Sequence, residues 1–120
     1  VLTDNLYWYR VVSVIDTHDG DTTKVLIDHG RRIYSEIKLR IEGIDAPELK
    51  GDTLEKARVA RDAARSWLSA PGRKLVVRTY KDPGSYDRYT AEIYDAETEE
   101  RFSQYMLDNG FAVEYDYKWG

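Results

Sequence analysis

KLRIEGIDAPE, residues 38–48, begins as a strand and stops behaving like one. Ile37, Leu39 and Ile41 alternate with Lys38, Arg40 and Glu42, the period-two pattern of a half-buried strand. Gly43 interrupts that pattern. A glycine inside a strand marks a bulge, which inserts one residue and reverses the parity of everything after it. On that reading Ile44 joins Ile37, Leu39 and Ile41 on the core face, while Asp45 moves onto the face that carries Arg40 and Glu42. Pro47 then turns the chain so that Glu48 comes back toward the same spot. One strand end therefore collects a cation site beside an anion site. Taken alone, the stretch also reads as a strand edge with a surface ion pair and an Asx turn before Pro47.

Working outward, residues 7–15 (YWYRVVSVI) and 23–28 (TKVLID) are strands rich in β-branched and aromatic residues. Between them DTHDGD is a turn signal, with Asp19-Gly20 the composition of a hairpin turn at positive φ. A three-strand meander from 7 to 44 results. Residues 52–69 change period: Ala57, Ala60, Ala64, Trp67 and Leu68 recur at three and four, Asp52 can cap with Glu55 three positions on, and Pro71-Gly72 closes the helix. Strands at 74–80 and 89–95 follow, then a short helix at 103–109 starting at Ser103. FAVEY from 111 is a candidate return to the sheet. The order fits an α+β chain with a small closed barrel and an antiparallel β core better than a parallel sheet.

The 120 residues are the length of one domain, taken as 1–120, with a single core. Hydrophobic residues at 42% and charged residues at 33% are ordinary globular values, and no apolar run approaches the roughly 18 residues of a membrane span. The expectation is a soluble chain with no membrane partner. Cytoplasmic and secreted locations both stay open. With no cysteine and only His18 and His29, thiolate sites are excluded, and a histidine triad or multi-histidine metal site has little material. Acid–base chemistry must rest on carboxylates. A net charge of −4 and a pI near 5.2 weigh against a broad nucleic-acid-binding face. Yet Arg31, Arg32, Lys38 and Arg40 cluster in one stretch and Arg73, Lys74, Arg78, Lys81 and Arg88 in another, so a local basic surface survives inside an acidic total.

VIDTHDGDT, LRIEGIDAPE, YDRYTAEIY and MLDNGFA occur in that order, with a helix at the right interval. Together they resemble the staphylococcal nuclease (thermonuclease) family from about Tyr9 to Tyr117. The resemblance implies an OB-type five-stranded antiparallel β-barrel with two or three helices, and a calcium-dependent phosphodiesterase. Such an enzyme would cut single-stranded or denatured DNA and RNA as a monomer, with low sequence preference and 3′-phosphate products. It also implies roles: Asp21, Asp45 and the backbone carbonyl of Ala46 as ligands of the ion, Glu48 as the base for the attacking water, and Arg40 and Arg88 as grips on the scissile phosphate. Tyr86 and Tyr115 would contact a neighbouring phosphate or base, with Tyr117 the alternative to Tyr115. Oxygen ligands suit calcium and leave magnesium open.

Three departures bear on those roles. Asp16 to His18 add about three residues to the first turn, which makes Asp19 a competitor of Asp21 for the ion. Asp87 stands where the family has glycine, beside Arg88, and Ser85 stands where a lysine is known. Two other readings share the barrel: a nuclease-like domain acting as a nucleic-acid or protein-binding module, and a single-strand binder that stacks bases on Tyr86, Tyr89, Tyr115 and Trp119. Retention of Asp21, Arg40, Asp45, Glu48 and Arg88 together favours the enzyme.

Overall fold

The computed structural model describes residues 8–81 and 88–115. Five strands close into a barrel: β1 (Trp8–Asp19), β2 (Thr22–Asp28), β3 (Tyr34–Ile41), β5 (Leu75–Lys81) and β6 (Arg88–Asp95), in spatial order β1-β2-β3-β6-β5. A separate two-stranded ribbon pairs β4 (Ile44–Asp45) with β7 (Val113–Glu114). Helices α1 (Leu54–Leu68) and α2 (Phe102–Asp108) complete the α+β fold expected. The barrel departs from the expected all-antiparallel core at one seam, because β3 and β6 run parallel, Lys38 opposite Arg88 and Arg40 opposite Thr90. The reason is parity: five strands in a closed ring cannot alternate direction all the way round. Parallel neighbours need a long crossover, which α1 and β5 provide.

The first hairpin differs from its expectation too. Asp16 to His18 do not lie in the turn; they belong to β1, which runs on to Asp19. Its register with β2 shifts between Val11 and Ser13, between Val14 and Asp16, and between Thr17 and Asp19, each time leaving one residue of β1 unmatched. Val12, Ile15 and His18 are those residues, and Val12 and Ile15 bulge out to 45% and 42% exposure. Bulges of this kind bend and coil a strand, which lets β1 pair with β2 at one end and with β5 at the other.

Val25, Ile27, Leu39, Ile41, Ile44, Val77, Ala91 and Ile93 fill the barrel and its rim with no exposed surface. α1 covers one end with Ala57, Ala60, Ala64, Trp67 and Leu68, the five residues its periodicity marks out. Its start departs from expectation: Asp52 lies in a 3-10 turn (Gly51–Thr53), the cap position is Thr53, and no side chain caps the helix. Ser103 lies inside α2 rather than before it. It donates its N–H and Oγ–H to the buried carboxylate of Glu92 on β6, at 3.1 and 2.6 Å, so a strand residue caps the helix from across the core. FAVEY returns to β4 instead of the barrel, tied by Tyr115 N–H donating to Gly43 O at 2.9 Å.

Candidate active site

The site is built where the β1–β2 turn meets the end of β3. Gly20 is packed so closely that a Cβ there would lie 2.8 Å from Ala46 Cβ, 3.1 Å from Met106 Cε and 3.2 Å from Ala60 Cβ. Its φ is not among the positive ones, so the expected positive-φ turn is replaced by a steric requirement: the turn needs glycine to sit against α1, α2 and the chain entering Pro47. This seats Asp21 at 6% exposure. Its Oδ2 accepts the Ala46 N–H at 2.8 Å, its Oδ1 accepts the Thr22 hydroxyl at 3.0 Å, and its own N–H donates to Asp19 Oδ1 at 3.0 Å. The Asp21 backbone carbonyl accepts Ile41 N–H at 2.8 Å and locks the turn to β3.

Arg40 reaches this turn from the outer face of β3. Nη1 donates to Ile41 O at 2.9 Å, and Nη2 stands 3.5 Å from both Asp21 Oδ2 and Asp45 Oδ1. A single cationic nitrogen therefore bridges the two carboxylates. The Arg40 side chain is only 12% exposed, and its Cζ lies 5.8 Å from the centroid of the Tyr115 ring. The parity reversal read from the sequence is present. It is made by a tight turn with Gly43 at φ +80 rather than by a bulge in a continuous strand. Burial and the adjacent Asp21 push the Asp19 carboxyl up to about 6. Partial burial and Asp21 also push Asp45 upward, against the opposite pull of Arg40. The upward push on Asp19 and Asp45 is of the kind that added positive charge relieves.

The family model for staphylococcal nuclease homologues matches residues 38–119. The chain belongs to that family. No curated protein matches the chain. The matched region runs from Lys38 through Arg40, Asp45, Glu48 and Arg88 to β7 and beyond, and the family is a nuclease-like one.

Of the residues singled out from the sequence, this staphylococcal nuclease homologue gathers Asp19, Asp21, Arg40, Asp45, Ala46 and Tyr115 around one point on the rim. Ala46 meets Asp21 through its N–H. Glu48 lies on the same side and its charge helps raise Asp45. Its side chain is 71% exposed and its Oε2 pairs with Lys50 Nζ at 3.0 Å, a partner that no pattern in the sequence signals. The backbone of Arg88 stands across from Lys38 on β6; its side chain, Tyr86 and Tyr117 lie outside the described residues. Thr22, whose hydroxyl fixes Asp21, was legible only as the threonine closing DGDT.

Among the described residues no group of three or more His, Cys, Asp or Glu side chains is gathered as a metal cluster. The residues nonetheless fit a hard cation in donor type and charge: the two carboxylates bridged by Arg40 supply only oxygen, and Asp19 adjoins them.

Proposed function

We propose that the chain hydrolyses phosphodiester bonds in single-stranded or denatured DNA and RNA, as a monomer and with calcium bound by Asp21 and Asp45, leaving 3′-phosphates. Magnesium is the alternative ion, Asp19 the alternative ligand, and the Ala46 carbonyl a further oxygen. The observation that carries the reading is the position of Arg40, a guanidinium held at the mouth of the site by two acids at equal 3.5 Å distances. A bound divalent cation supplies charge neutralisation and a more acidic bound water.

The chain's own groups supply the rest. Glu48 is solvent-accessible and accepts the proton of the attacking water as its oxygen bonds to phosphorus. The bond from phosphorus to the 5′-oxygen breaks in line, and that oxygen leaves with a proton from solvent. Arg40 and Arg88 donate to the phosphoryl oxygens, whose charge grows in the five-coordinate transition state; arginine forks suit this because they stay protonated and donate in pairs. Tyr115, beside Arg40, meets the neighbouring nucleotide together with Tyr86, and Tyr117 is the alternative to Tyr115. No covalent enzyme intermediate is needed, in keeping with a chain that has no cysteine.

Digestion of heat-denatured DNA and of RNA in calcium, in magnesium and in chelator tests this. Cleavage should require the cation, and Glu48→Gln should lose roughly 10²–10⁴-fold in rate while retaining oligonucleotide binding. Cleavage undiminished by chelator overturns the metal assignment, and full activity in Glu48→Gln overturns the base. Binding with no cleavage under any condition makes the chain a binding module on this barrel, a reading that the Glu48–Lys50 pair favours.

A further inference from the structure

Beside the site, a groove of about 430 Å³ opens on the outer face of β1, β2 and β3, with Asp16, His18, Lys24, Glu36 and Lys38 in its walls. Two acids and two lysines line it, but they are not paired with one another throughout. Glu36 is paired with Lys24 at 3.2 Å, and Asp16 stands 3.8 Å from Arg65. Lys38 is exposed and makes no ion pair or side-chain hydrogen bond with any described residue. It stands opposite Lys24 on one side and Arg88 on the other, so three cationic residues occupy one register row across β2, β3 and β6. Like charges set directly opposite each other on a sheet are destabilising. Within this row Glu36 compensates Lys24, and Lys38 is the ammonium that no described acid pairs with.

Lys38 also shares the outer face of β3 with Arg40, two residues away, a spacing of about 6.8 Å along a strand. Neighbouring phosphates in an extended single strand are separated by the same order of distance. A strand with one phosphate at Arg40 can therefore set the next over Lys38, and the exposed Tyr34 continues the same face beyond Glu36. Following β3, the backbone would leave the site across the groove.

We infer that Lys38, flanked by Lys24 and His18, is a subsite for the phosphate next to the one at Arg40, guiding a single-stranded polynucleotide along β3. The inference rests on the phosphodiester reading above and adds a second phosphate position to it. Losing one phosphate contact to a single strand lowers the slope of log K against log salt by about 0.7, which is about fivefold in affinity at 0.1 M salt.

The test compares wild type with Lys38→Gln in chelator, using a labelled 12-nucleotide oligothymidylate followed by fluorescence anisotropy at several salt concentrations. The dinucleotide TpT, which carries one phosphodiester and no neighbour, is followed by NMR titration. Lys38→Gln should bind the 12-mer about fivefold more weakly with the smaller salt slope, bind TpT as wild type does, and unfold at an unchanged or slightly higher temperature. Lys38→Glu should weaken the 12-mer further. Wild-type affinity and slope for the 12-mer in Lys38→Gln overturn the subsite, as does an equal loss for TpT, which would put Lys38 in the central site. If wild type binds the 12-mer in chelator with the expected Lys38 dependence but does not cleave it when calcium or magnesium is supplied, the hydrolytic reading fails and the subsite stands.

Discussion

Replacing Gly20 by alanine isolates the contact on which the site's geometry depends. The added methyl would meet Ala46 Cβ at 2.8 Å, Met106 Cε at 3.1 Å and Ala60 Cβ at 3.2 Å. The methionine end can swing away, but Ala46 and Ala60 are stubs whose only recourse is backbone movement. Overpacking of this kind costs about 1–3 kcal/mol. With an unfolding entropy near 2.1 cal/mol/K per residue, that is a fall in melting temperature of about 4–12 °C for a chain of this length. Because Gly20 does not use positive φ, the loss should be steric and reversible: Ala46→Gly in the same chain opens the tightest contact and should recover a substantial part of it. The assay is thermal and urea unfolding of both single variants and the double variant, with calcium-dependent cleavage measured alongside. Cleavage should fall in Gly20→Ala, since the displaced Ala46 carries the N–H that fixes Asp21. A Gly20→Ala chain as stable as wild type, or a double variant that recovers nothing, refutes the packing argument.

Arg40→Met leaves Asp21 nearly buried with two hydrogen bonds and no cation, and should destabilise by about 1–3 kcal/mol in urea unfolding. Arg40→Lys should keep most of that stability while slowing cleavage roughly a hundredfold, because a lysine cannot present the fork. Ser103→Ala removes the hydroxyl that satisfies Glu92 and should cost about 1–3 kcal/mol. In chelator, Asp19 gives a specific pH dependence. Its folded value of about 6 lies above the ordinary 3.8, so the folded chain holds more protons than the unfolded one between those values, and stability should fall as pH rises through that window. Asp19→Asn should flatten that part of a thermal-unfolding pH profile.

The sequence carried different parts of this structure to different depths. The buried face of α1 was legible because helical period alone selects Ala57, Ala60, Ala64, Trp67 and Leu68. The approach of Arg40 to Asp45 was legible because Gly43 breaks a strict alternation, whether by bulge or by turn. The bulges of β1 were not, since Val12 and Ile15 have the composition of core residues and only the pairing with β2 turns them outward. Gly20 was assigned its place for the wrong reason, because a dipeptide that suits a hairpin says nothing of the three atoms that crowd it. Ser103 suits a helix cap locally, and only the fold supplies the distant Glu92 that takes over the task. The Glu48–Lys50 pair depends on rotamers at an exposed bend, which no periodicity encodes.

The parallel seam has a consequence for the chain's birth. Lys38 and Arg88 are about fifty positions apart, and the ring has no partner for that edge of β3 until β6 has been synthesised. A polypeptide emerging from the ribosome can fold its first hairpins and its long helix early, since such contacts are local. The seam, with Lys38 opposite Arg88 and Arg40 opposite Thr90, cannot form until β6 has followed. The rim that carries Arg40 is therefore among the last parts of the barrel to be closed, after the first hairpins and the long helix have formed.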